Sequence, residues 1–170
     1  MPTAARHAGA LTDPARIRVL AGIDFDNPDL RAALDRIAAR TAARTGLPIS
    51  LVTLVFDTAQ LTAGTAGLDD SWIVAADGTP VEWSFCANTV TTGRPYVIAD
   101  TADSEQATNP LVTIDGIGSY AGVPITLAGQ TVGAHCILGT TTHQFTSDQL
   151  AELHTAGQQI TTLLQQYSDH

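Results

Sequence analysis

Residues 48–56 read PISLVTLVF, and both alternating sets, Ile49/Leu51/Val55 and Val52/Leu54/Phe56, are mostly apolar. Successive side chains of a strand point to opposite faces, so this strand has to be covered above and below. The rest of the chain must therefore supply two layers against one sheet.

The material for those layers is legible. Asp13 before Pro14 pairs a helix N-cap with proline at the first helical position, and predicts a short helix through Leu20. Asn27-Pro28-Asp29 repeats the signal. Leu30, Leu34, Ile37 and Thr41 then form one stripe of a helix that stops at Gly46. A second strand follows through Leu61 and Thr65 to Gly67. The stretch 68–82 reads as loop, with Asp69-Asp70 and Asp77-Gly78 as turn signals. Residues 82–92 suit a short helix ended by Gly93-Arg94-Pro95, and Tyr96 to Ala99 a short buried strand. Residues 101–117 are irregular or briefly helical. Strands at 118–126 and 131–138 flank Ala128-Gly129, a hairpin signal.

The last segment is the clearest. Thr146 caps a helix with Gln149 as the capping-box partner, Phe145 staples onto Leu150, and Leu150, Leu153, Gly157, Ile160, Leu164 and Tyr167 recur at three-four spacing. This order gives an α/β (α+β) sandwich, one mainly antiparallel sheet with helices on its faces. Residues 1–12 are expected to be a flexible arm and 13–170 a single domain.

Charge narrows the partners. Of 170 residues, 8 are basic, all Arg, and 17 acidic, a net charge of −9 that repels phosphate backbones and anionic membranes; neither is an expected partner. The first residues hold no apolar run of signal-peptide length, and nowhere do about 18 apolar residues follow one another, so a cytoplasmic protein is expected. Cys86 and Cys136 are too few for a disulfide scaffold or an all-cysteine metal site. His135 neighbours Cys136 in a strand, so the two point to opposite faces and cannot share a metal. His143 precedes the last helix, and His154 reads as surface. The aspartates are scattered and lack calcium-loop spacing; Asp100 and Asp103 flank the crossover over 101–117 and read either as ligand contacts or, the favoured reading, as caps of the short helix. No nucleophile-elbow, zincin, P-loop or dinucleotide motif is present.

Six segments taken together resemble the GAF domain family of small-molecule sensor modules, over about residues 13–167. They are Ser84-Phe85-Cys86 with Thr89-Val90, GRPYVIADTA (93–102), NPLV (109–112), GIGSYAGVPI (116–125), GQTVGAHCILG (129–139) and HQFTSDQLAEL (143–153). The resemblance is to the subgroup at the front of bacterial signalling proteins. It implies the first and last helices on one sheet face, and on the other a pocket roofed by 82–92 and 101–117. Two positions depart from the family pattern: Gly139 stands where an acidic residue is usual, and Leu61-Thr62-Ala63 where an aromatic is common.

On that frame the candidate pocket residues are Trp83, Phe85, Cys86, Asn88, Asn109, Ser119, Tyr120 and Cys136. Trp and Tyr bring apolar bodies with polar tips to a chain that is only 5% aromatic, and a mostly apolar hollow with a few polar anchors is how ligand sites are built. The cysteines read either as a redox or attachment pair or, the favoured reading, as small buried hydrophobes. No cofactor is predicted, and neither haem nor bilin is expected. The expected function is a non-enzymatic regulatory module that binds an unidentified small molecule. It would signal through a homodimer seam on 30–41 and 150–167, or through a separate output protein, because 170 residues leave no room for an attached output domain. A thiol-dependent reductase of free methionine sulfoxide and a ligand-free adaptor are the alternatives. The sensor reading needs a hollow beneath the roof; if Trp83, Phe85 and Tyr120 fill it, the adaptor follows.

Overall fold

The structure is a computed structural model, describing residues 10–68 and 78–168. Helices α1 (Pro14–Ala21) and α2 (Pro28–Thr45) lead into strands β1 (Ile49–Val55) and β2 (Ala59–Ala66). Strand β3 (Gly78–Pro80), a 3-10 turn (Val81–Trp83), α3 (Cys86–Thr92) and β4 (Tyr96–Ile98) follow. A second 3-10 turn (Thr101–Asp103) and α4 (Pro110–Thr113) lead to the hairpin β5 (Ser119–Leu127) and β6 (Gln130–Gly139), and α5 (Ser147–Gln166) closes the order. The strands form one antiparallel six-stranded sheet in the order β3-β2-β1-β6-β5-β4.

All seven residues of β1 are buried, as a strand apolar on both faces requires. Ile49, Leu51 and Val55 join one core with Tyr120, Cys136, Leu138 and the residues around α3. Val52 and Leu54 join another with Leu30, Leu34, Ile160 and Leu164 of α2 and α5. The expected caps form. Asp13 and Asn27 accept from backbone N–H groups two residues on, and Thr146 and Gln149 close the capping box. Gln149 Nε2 also donates to Thr45 O at 2.8 Å, tying the start of α5 to the end of α2. Ala128 (φ 50°) and Gly129 (φ 78°) both adopt positive φ, the signature of the tight two-residue hairpin turn.

Four expectations are corrected. Within the stretch read as loop, Gly78–Pro80 pairs with β2 and adds a strand, while residues 69–77 lie outside the described residues. The short helix starts at Cys86 rather than residue 82. Ser84 Oγ accepts from Ala87 N at 3.0 Å and breaks the chain there from the preceding 3-10 turn. Strand β4 is an edge strand and leaves Val97 exposed. Of the arm expected over 1–12, residues 1–9 lie outside the described residues, but Leu11 is buried and its carbonyl accepts from the Arg16 guanidinium.

The stripes on α2 and α5 that suggested a dimer seam cover the sheet of their own chain. Leu34, Ile37, Leu153, Ile160 and Leu164 are all buried there.

Candidate functional site

The floor of the site is the roof-side face of β1, β6 and β5. Alternation places Leu51, Cys136, Leu138 and Tyr120 on it, and sends His135 and Ser119 to the other face. The roof is Phe85 and Cys86 at the head of α3, with Leu111 and Ile117 beyond the crossover; Gln60, Leu68 and Thr79 close one side. A cavity of about 30 Å³ remains between them, room for about two water-sized guests. A larger groove of about 500 Å³ lies between α1, the β5–β6 turn and the end of α5, but it is an open surface feature away from the buried ionisable groups.

Tyr120 dominates the cavity wall. It is wholly buried, stacks on Phe85 at 5.1 Å between ring centroids, and sits 5.8 Å from the Tyr96 ring. Its hydroxyl donates to Cys86 Sγ at 3.2 Å and lies 3.3 Å from Thr89 Oγ1. Gly122 makes this pose possible. A Cβ there would come within 2.2 Å of the Tyr120 hydroxyl, so the ring lies flat along its own strand only because the residue two positions on has no side chain. Gly122 pairs across the sheet with Cys136, which brings the phenol to the thiols.

Cys86 and Cys136 are unoxidised and buried, with their sulfurs 3.9 Å apart. They are not equivalent. Burial pushes Cys136 well above the ordinary thiol range, and burial likewise raises Tyr120. Burial also disfavours a Cys86 thiolate, but hydrogen bonds from Cys136, Thr53 and Tyr120 together outweigh it and hold Cys86 below its usual value. Cys86 is the more acidic of the pair. Elsewhere in the cavity, Ser84 Oγ donates to Gln60 Oε1, whereas the buried Thr79 hydroxyl has no partner among the described residues.

Of the eight residues singled out by sequence, Phe85, Cys86, Tyr120 and Cys136 line this cavity together. The other four do not. Trp83 is half-buried and packs at the margin of the same core. Asn109 is structural: its side chain accepts from Leu111 N at 2.9 Å and donates to Trp83 O at 3.0 Å and Gln106 Oε1 at 2.9 Å, stitching the roof together. Asn88 is buried in α3, its Nδ2 without a partner among the described residues, outside the lining. Ser119 precedes Tyr120 in a strand and so faces the opposite side, against Gly139 and Leu47. The hollow expected under the roof is therefore occupied largely by the Phe85 and Tyr120 rings. Gln60 and Thr79 were missed because their pairing depends on β3, which has no periodic signal.

On the other face, His135 is enclosed between α2 and the sheet. Nδ1 lies 2.9 Å from Leu51 O and Nε2 2.9 Å from Thr41 Oγ1. A carbonyl only accepts, so Nδ1 carries the proton, while Nε2 faces a Thr41 hydroxyl that also lies 2.9 Å from Ile37 O. Burial lowers this imidazole's pKa to about 4. His143 contacts Gln149 Oε1 at 3.0 Å at the head of α5, and His154 is exposed. Among the described residues no group of three His, Cys, Asp or Glu side chains could hold a metal, and no helix is long and apolar enough to cross a membrane.

The sequence matches the family model of the GAF domain over residues 29–164. The chain belongs to the GAF domain family. Solved structures agree on the fold. The GAF domain from an Acinetobacter phosphoenolpyruvate-protein phosphotransferase is 13% identical, with 91% of this chain and 95% of that one covered and a TM-score of 0.68. The blue-light-absorbing form of the PixJ GAF domain of Thermosynechococcus elongatus is 13% identical (91% and 90% covered, TM-score 0.65). Free methionine-R-sulfoxide reductase from Neisseria meningitidis, solved in complex with its substrate, is 19% identical (98% and 94%, TM-score 0.62). No curated protein matches the sequence. The fold of this GAF domain is thus that of the family.

Proposed function

We propose that this GAF domain is a regulatory sensor module. A small guest in the cavity between Cys86, Tyr120 and Thr79 would bias the roof, and the change would pass to a second copy of the chain or to a separate output protein in the cytoplasm. The observation that carries this reading is the cavity beneath the roof. It holds two thiols, a phenol and a hydroxyl without a partner among the described residues, beneath helices of only seven and four residues. At about 30 Å³ it admits a water-sized guest as it stands. A metabolite needs Phe85 and the roof to move, and shifts the domain only by its differential affinity for the moved state.

Native mass spectrometry and an absorption spectrum of freshly purified protein, followed by thermal unfolding against a panel of small metabolites, test this. Either a retained guest or a raised melting temperature is expected, and Phe85→Ala alters the response without unfolding the domain. A guest at one hundred times its Kd adds about 2.7 kcal/mol. No guest, no shift and an unaltered dimer would leave the adaptor role instead.

One observation favours a second reading. The thiols stand 3.9 Å apart in a fold shared with the Neisseria reductase, which suggests thiol-dependent reduction of free methionine sulfoxide. Consumption of that substrate with a thiol reductant, abolished in Cys86→Ser, would establish it; full activity in that variant removes Cys86 from the chemistry.

A further inference from the structure

We propose that Cys86 and Cys136 are a peroxide-oxidisable dithiol, closed by hydrogen peroxide into an intramolecular disulfide across the cavity. Three observations meet at one place. The sulfurs are 3.9 Å apart, so a bond requires them to approach by about 2 Å. Both line a cavity with space for a water-sized guest, which suits hydrogen peroxide and excludes bulky disulfide oxidants. The same cavity presents polar anchors for such a guest, the Thr79 hydroxyl, without a partner among the described residues, on one wall and the Tyr120 hydroxyl at Cys86 Sγ. The asymmetry of the two thiols agrees with this division of roles, because the thiolate is the nucleophile.

The chemistry balances in two steps. Cys86 thiolate attacks one peroxide oxygen, the O–O bond breaks, and the departing hydroxide takes up a proton as water, leaving a sulfenic acid. Cys136 sulfur then attacks the Cys86 sulfur. The S–S bond forms as the S–O bond breaks, and the leaving hydroxide combines with the Cys136 proton as a second water. Two thiols and one peroxide give one disulfide and two waters; the cysteines lose two electrons and the peroxide gains them.

The consequence is mechanical. Cys86 is the first residue of α3 and Cys136 lies within β6, so the new bond fixes the roof helix to the floor and removes the sulfur that accepts from Tyr120. This output rests on the regulatory reading; the oxidation does not.

Intact-mass spectrometry with peptide mapping of the whole chain, before and after hydrogen peroxide, separates the two. The wild-type protein is expected to lose two hydrogens, about 2 Da, as a Cys86–Cys136 cross-link within one chain. Cys136→Ala instead gains oxygen at Cys86, and Cys86→Ala does not form the cross-link. Tyr120→Phe keeps the ring and oxidises about tenfold more slowly at neutral pH, with its pH–rate midpoint about one pH unit higher. The proposal is overturned if wild type gains oxygen without cross-linking, if it stays reduced under peroxide that fully oxidises free cysteine, or if the cross-link joins two chains. An unchanged rate in Tyr120→Phe removes the phenol from it. Cross-linking with unaltered hydrogen exchange in 82–92 and 101–117 leaves the dithiol standing and sinks the regulatory reading.

Discussion

Helices of 18 and 20 residues cover one face of the sheet, and helices of seven and four cover the other. The long pair satisfy most of their own backbone groups and bury continuous stripes, and side-chain bonds such as Arg31 to Thr62 O and Gln149 to Thr45 O add to that packing. The short elements cannot. Asn109, Asp100, Thr101, Ser84 and Ser104 use their side chains on nearby backbone groups to hold the roof. Both regions bury apolar area, and in the second the short elements also depend on individual polar contacts around a residual cavity. The cavity, the thiols and the Thr79 hydroxyl all sit on the stitched side.

Truncating each face is the strongest way to break this comparison. Leu34→Ala on the long-helix face is expected to cost about 4 kcal/mol by denaturant unfolding, and Leu111→Ala in the roof about half that, because a loosely built site collapses into the gap. Equal losses would erase the distinction. The next effect is pH-dependent. His135 is neutral when folded, with its pKa lowered from 6.5 to about 4, so the unfolded chain binds the extra proton. The stability it supports is complete above pH 6.5 and declines as pH falls toward 4. The loss is about 3 kcal/mol, and His135→Gln flattens the slope. A roof-side change is smaller. Gly122→Ala pushes the Tyr120 hydroxyl away from Cys86 at a cost of about 2 kcal/mol, read by unfolding together with the tyrosine near-ultraviolet signal. The smallest is Asn109→Ala, about 1 kcal/mol. It should speed hydrogen exchange across 101–117 and leave α2 and α5 as protected as before; uniform acceleration would contradict a locally stitched roof.

What could be read in the sequence follows the same division. The caps at Asp13, Asn27 and Thr146 and the stripes on α2 and α5 are local and periodic, and each formed where it was read. The doubly apolar β1 announced two layers, and the six GAF-like segments placed the roof. Four of the eight candidate residues reached the cavity. Asn109 and Ser119 did not, because an asparagine before proline reads the same whether it caps a turn or meets a ligand, and because adjacent strand residues cannot share a face. Strand β3 stayed hidden, since three residues carry no period.

Sequence alone settled the long helices and the long strands, that the sheet is covered on both sides, and which family the pattern follows, because backbone propensity, capping and alternation act over a few residues. Tertiary structure decided that two cysteines fifty positions apart meet at 3.9 Å, that a glycine lets a tyrosine lie against them, and how little space its ring leaves. Those outcomes depend on the register of β5 against β6 and on α3 docking over both, distances set by packing between segments that no local pattern encodes.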